Sequence, residues 1–184
     1  MLDTRATLDG LTPRPGSYLL HINIPNEFIG TIGSLGSIIL PPGDYIYLGS
    51  ARGPGGIGKR VARHCRAEKK TFWHVDYLTK AGQVRGIGVC ENISECALTG
   101  IFLTWPEFQV PIPGFGSTDC KQCQAQFLGF NPSNSSNVSN KISEIFLSAE
   151  SANAKFLIIE NSGKASLFFY FAVNPIKKLK KIFS

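Results

Sequence analysis

Apolar and polar positions along this chain switch between the period of a strand and that of a helix several times. Residues 1–15 are polar and end in Pro13-Arg-Pro15, a loose lead-in. Residues 16–24 are rich in β-forming side chains and predict a strand. Pro25-Asn-Glu marks a turn. Residues 28–40 mix β-branched residues with glycines and predict a second strand, closed by Pro41-Pro-Gly-Asp44. Residues 44–49 predict the third, and three such close neighbours favour an antiparallel meander.

The period then lengthens. Ile57, Val61 and Cys65 recur every four positions and predict a helix from about Ile57 to Lys69. A shorter helix is expected over 71–80, a strand over 84–89 and a helix over 92–103. Pro111 to Phe115 reads as an irregular loop. Asn131 to Asn140 is a polar, low-complexity linker. Beyond it, residues 156–160, the turn Asn161-Ser-Gly and residues 165–173 predict a β-hairpin, followed by a basic end, Lys177 to Lys181. The expectation is an α/β (α+β) chain with a small, mainly antiparallel β-sheet flanked by helices. Its domain covers 16–130, joined by a linker over 131–140 to a separate C-terminal extension over 141–184.

Composition agrees with a globular domain, since 43% of residues are hydrophobic and 17% charged. A net charge of +6 favours anionic partners, nucleic acid first among them. The five cysteines are odd in number and irregularly spaced, and the N-terminus lacks the plan of a signal peptide. Free thiols in a reducing cytoplasm are the simpler expectation. No uncharged apolar run is long enough to predict a membrane span.

Tyr18 and Tyr47 fall near the ends of two neighbouring strands, where phenols position a water, or take its proton if their pKa is lowered. Taken singly, both are ordinary strand tyrosines. Arg60 and His64 lie four apart and project from one helix face. An arginine there can grip a phosphate through two parallel hydrogen bonds. Lys59, Arg63 and Arg66 read as a basic face able to contact a phosphate backbone. Glu95 has two readings, a magnesium ligand or the acidic member of a capping box opened by Asn92. His74 and Asp76 border the site or anchor their helix.

Gly53 to Arg60 nearly matches a phosphate-cradling P-loop, but Arg60 stands where Ser or Thr should hold the metal. Nucleotide hydrolysis therefore stays a competitor only. Cys120 and Cys123 form a lone CxxC without a second pair, so a zinc site is not expected.

Together these residues resemble the GIY-YIG nuclease superfamily, and most closely its branch of small domains with a Gly-Pro-Gly-Gly turn. Gly16-Ser-Tyr18 stands for the first signature triplet and Tyr47-Leu-Gly49 for the second. Arg60, His64 and Glu95 match the helix arginine, the histidine and the metal-binding glutamate. Gly114-Phe-Gly-Ser-Thr-Asp119-Cys120 matches the late segment. The resemblance covers residues 16–130. It departs in placing 28 residues between Tyr18 and Tyr47, which an added strand in the meander accommodates, and in setting Gln126 near the usual place of a histidine.

The resemblance implies an endonuclease that hydrolyses phosphodiester bonds with one Mg²⁺ or Mn²⁺ held by Glu95. Arg60 then neutralises the transition state, and Tyr18 and Tyr47 orient or deprotonate the attacking water, with His64 as an alternative base. Gly49, His74, Asp76 and Asp119 border the site. DNA is the expected partner, with single-stranded and branched forms as candidates and RNA left open. A non-catalytic nucleic-acid-binding module is the alternative of a different class.

Overall fold

The computed structural model describes residues 13–117, 120, 122–131, 137–149 and 154–159, with the backbone course of 165–169 and 181–182. At its centre lies β1 (Gly16–Ile24), paired antiparallel with β4 (Gly43–Ala51) on one side and β5 (Gln83–Cys90) on the other. The sheet continues through β7 (Phe127–Phe130) and β6 (Phe108–Gln109) past β4. Past β5 come β8 (Lys155–Ile159), β9 (Ala165–Phe169) and β10 (Lys181–Ile182). The described strands of this sheet number eight and every pairing is antiparallel. The expected α+β architecture, a mainly antiparallel sheet flanked by helices, is the one observed.

Both faces of the central strands are covered, which explains why β1 is apolar almost throughout. Tyr18, Leu20, Ile22 and Ile24 point to one face, against α1 (Gly56–Cys65) and α2 (His74–Ala81). Leu19, Ile46 and Leu48 point to the other, against α3 (Glu95–Leu103) and α4 (Val138–Ala149). This is the period-2 alternation of a strand placed between two apolar layers.

Three expectations are corrected. The segment 28–40 is not the middle strand of a meander. It folds back on itself as β2 (Phe28–Thr31) and β3 (Ser37–Leu40), a separate two-stranded sheet joined by a 3₁₀ turn over Gly33–Leu35. Gly33 and Gly36 both take positive φ, +47° and +75°, which breaks the extended run. β1 and β4 therefore pair directly. The first helix stops at Cys65 because Lys69 folds back and donates its ammonium hydrogens to the carbonyls of His64 and Arg66.

The third correction concerns the C-terminal region. Residues 138–140 of the expected linker open α4, whose Ile142, Ile145 and Phe146 are buried. The hairpin of β8 and β9 forms as expected, but it continues the main sheet through β5 and does not stand apart. Ser139 and the buried His21 tie α4 to the sheet: the Ser139 hydroxyl lies 3.2 Å from His21 Nδ1, and His21 Nε2 lies 2.8 Å from Asp44. The turn at Asn161 and most of the basic end lie outside the described residues. No described helix is long and apolar enough to cross a membrane.

Candidate active site

A cavity of about 520 Å³ opens where β1, β4, α1 and the start of α3 converge, lined among others by Tyr18, Tyr47, Arg60, His74 and Glu95. Register places the first of these. Tyr18 pairs with Gly49, and a Cβ at Gly49 would land on the Tyr18 ring. Glycine at 49 is thus the condition for the phenol to lie across β4. The rings of Tyr18 and Tyr47 sit side by side, centroids 6.2 Å apart.

Behind Tyr18 runs a chain of buried polar groups. The Tyr18 hydroxyl is 3.0 Å from His64 Nε2, and His64 Nδ1 is 2.8 Å from Asp76 Oδ1. An ionised Asp76 can only accept, so His64 Nδ1 carries the hydrogen and Nε2 accepts from Tyr18. Asp76 also accepts from Arg63 and from the backbone N–H groups of Phe72 and Trp73. Burial alone would raise its pKa, but the hydrogen bonds from His64, Trp73, Phe72 and Arg63 outweigh it and hold the carboxyl well below the usual range. Burial lowers the pKa of His64, only partly offset by Asp76, and so favours the neutral ring.

The phenols differ from expectation. Burial, with Tyr47 beside it, pushes Tyr18 well above its ordinary pKa. Burial also pushes Tyr47 up to about 12, against the lowering pull of Arg60. Neither is a ready base, which corrects the reading in which a lowered phenol pKa lets tyrosine deprotonate water directly.

Arg60 extends from α1 over the ring of Trp73, 4.6 Å from its centroid, and lines the cavity. No described carboxylate pairs with it. Arg63, expected on a free basic face, is instead committed to Asp76 and to the Lys70 carbonyl. Lys59 and Arg66 are exposed as expected. Asp76 lies beneath the site, fully buried, and not on its border. Asp119 lies outside the described residues.

Glu95 is the first residue of α3, and Ser94 is its N-cap, its hydroxyl accepting from the Ala97 N–H. The capping box opened by Asn92 is therefore not formed, and the Glu95 carboxylate is not spent on a cap. Its Oε2 is buried and has no hydrogen-bond partner. Glu107 Oε2 shares that condition but is not among the residues lining the cavity. A buried carboxylate oxygen without a partner is costly, and Glu95 as a residue lines the cavity, where a cation could satisfy its carboxylate. A single carboxylate not committed to a cap fits Mg²⁺, which retains several waters and needs few protein ligands.

In the near P-loop the first backbone N–H groups of α1 are already engaged. The Ile57 N–H donates to the Arg14 carbonyl, and a Cβ at Gly56 would land on the carbonyls of Pro13 and Arg14. Main chain of residues 13–14 thus packs directly on Gly56, while a cavity of about 290 Å³ opens on the side of Gly53, Pro54, Lys59 and Arg60.

Residues 17–148 match the sequence model of a family described as a domain of unknown function, DUF123. The chain belongs to the DUF123 family. The matched region runs from β1 through most of α4, so it includes the whole candidate site. No curated protein and no solved structure shows a significant match.

Sequence reasoning missed several parts of this DUF123 site. Arg52 and Ser50 line the cavity, as do Phe72 and Trp73 at its rim. Phe72 is 72% exposed, and an exposed aromatic next to a basic helix is the one signal that the sequence carried for them. The cysteines are free thiols as expected, but their convergence was not foreseen. Cys96, at the start of α3, meets Cys120 and Cys123, with Sγ–Sγ separations of 3.1, 3.1 and 3.3 Å.

Proposed function

We propose that this DUF123 domain is a metal-dependent endonuclease of the GIY-YIG type that hydrolyses phosphodiester bonds in DNA. The observation that carries the reading is that Glu95, one of whose carboxylate oxygens has no hydrogen-bond partner, lines the same cavity as Arg60 and Tyr18, with His64 and Asp76 hydrogen-bonded in a chain behind Tyr18. Glu95 would hold Mg²⁺ or Mn²⁺, which when bound supplies charge neutralisation at the phosphate and its leaving oxygen.

The chain's own groups divide the remaining work. Arg60, free of carboxylate partners among the described residues and braced on Trp73, binds the scissile phosphate and offsets the charge that builds on it. Tyr18 and Tyr47 hold the attacking water by their phenols. Tyr18 accepts the water's proton as it passes its own to His64 Nε2, and Asp76 stabilises the resulting imidazolium. No free phenolate is needed, which reconciles the raised phenol pKa values with a role in proton transfer.

The rim favours unpaired strands. Phe72 is exposed and stands edge-on to Trp73, with ring centroids 5.1 Å apart, which offers an aromatic surface on which an unstacked base can lie. Arg52, Lys59 and Arg66 are exposed nearby in sequence to track the backbone.

The test is cleavage of end-labelled single-stranded, duplex and branched DNA in Mg²⁺ or Mn²⁺, beside Arg60→Ala and Tyr18→Phe. Metal-dependent cleavage that falls at least about 10²-fold in both variants supports the reading. Salt-dependent binding without cleavage would replace it with the non-catalytic binding module.

A further inference from the structure

Three sulfurs from distant parts of the sequence converge beside the candidate site. Cys96 is the second residue of α3, while Cys120 and Cys123 belong to the loop that leads into β7. Each Sγ lies 3.1–3.3 Å from the other two, and all five cysteines of the chain are free thiols. Hydrophobic packing has no reason to bring three polarisable sulfurs to a single point, closer than their ordinary contact, while Cys65 and Cys90 pack separately into the apolar layers. Gln126 lies against Cys123, where its amide can support a thiolate.

We propose that Cys96, Cys120 and Cys123 bind one Zn²⁺ as three thiolates, clamping the late loop to the start of α3. A tetrahedral zinc at about 2.3 Å from each sulfur sets the sulfurs about 3.8 Å apart, so the triad opens by about half an ångström on binding. Soft thiolate donors select zinc over Mg²⁺, which keeps this centre chemically distinct from Glu95. Among the described residues no other His, Cys, Asp or Glu completes the set, which leaves the fourth position to water or to a residue outside them. The three thiols lose their protons on binding. The clamp fixes Glu95, one residue before Cys96, relative to Gly116, whose backbone packs against Tyr47. A lone CxxC could not announce this, because the third ligand comes from an element more than twenty residues upstream.

The test is metal analysis of the full chain purified under reducing conditions without chelator. The expected result is about one zinc per chain, lost to background in Cys96→Ser, Cys120→Ser and Cys123→Ser but kept in Cys65→Ser. Because the serine variants can misfold, the wild type is also loaded with Co²⁺, and a sulfur-to-cobalt charge-transfer band is expected that excess Zn²⁺ abolishes. Absence of zinc together with absence of that band overturns the proposal. So does a thiol count of three instead of five in the unreduced, denatured chain, which reveals a disulfide. Zinc content is read without any cleavage assay, so this centre and the nuclease reading stand or fall separately.

Discussion

Gly49 decides where the Tyr18 phenol can stand, and the substitution Gly49→Ala is the sharpest probe of that placement. The added methyl displaces the ring, and misplacement by about an ångström lowers cleavage about 10²-fold. Overpacking costs about 1–3 kcal/mol, read from a thermal melt. Wild-type cleavage by a folded Gly49→Ala would remove Tyr18 from the chemistry. Asp76 is subject to a different test. Asp76→Asn strips His64 and Arg63 of a buried partner and is expected to cost about 3 kcal/mol in a denaturant titration.

The same groups set the response to pH. His64 has a lowered pKa in the fold, so from its unfolded value of 6.5 downward the unfolded chain binds the extra proton and stability falls with pH. Asp76, also lowered, adds a further loss below its unfolded value of 3.8. Cleavage has its own acid limb at a lower pH, at the depressed pKa of folded His64, because the relay needs an unprotonated His64. On the alkaline side no loss from Tyr47 is expected until pH approaches about 12. A rate profile and an acid melt check both limbs. At this scale the sequence was most legible: spacing and resemblance brought Tyr18, Tyr47, Arg60, His64 and Glu95 together, and they do share one locality. What it hid was partnership. The Arg63–Asp76 pair spans two helices, and nothing in residue spacing distinguishes it from an exposed basic face.

Among the elements, α3 carries two opposed demands at its first turn. Ser94 caps the helix, so Ser94→Ala is expected to cost about 1 kcal/mol. Glu95 instead places a buried, partnerless oxygen there. Glu95→Gln keeps the shape and removes the carboxylate, so it is expected to abolish cleavage while leaving the melting temperature in EDTA little changed. Mg²⁺ should raise the melting temperature of the wild type and leave that of Glu95→Gln unchanged. A melting temperature lowered by Glu95→Gln would return the residue to a structural role. The loop before α2 carries a parallel expectation: Phe72→Ala weakens single-stranded DNA binding by about 1–3 kcal/mol in an anisotropy titration and leaves duplex binding little changed. Element types were readable because their periods are local. Pairings were not, since two glycines at positive φ turned the expected middle strand into a hairpin of its own.

For the whole molecule, the boundary expected near residue 130 fails for a physical reason. Polar residues 131–140 look like a linker, yet the segment after them buries Ile142, Ile145, Phe146 and Phe156 against the face of the sheet opposite the site. Each contributes about 1.5–3 kcal/mol, so together they approach the entire stability of a domain of this size. A chain ending at Asn131 is expected to lose its cooperative thermal transition, which circular dichroism would register. The site thus rests on a sheet that β8 extends and whose far face is covered by α3 and α4.

The most direct measurement is the single-turnover rate of labelled DNA cleavage by wild type and by Glu95→Gln as Mg²⁺ is raised, with both proteins verified as folded. The account predicts a rate that rises and saturates with Mg²⁺ in the wild type and stays at background in Glu95→Gln. An equal rate in the two, or no cleavage by a folded wild type on single-stranded, duplex or branched substrates, would contradict it.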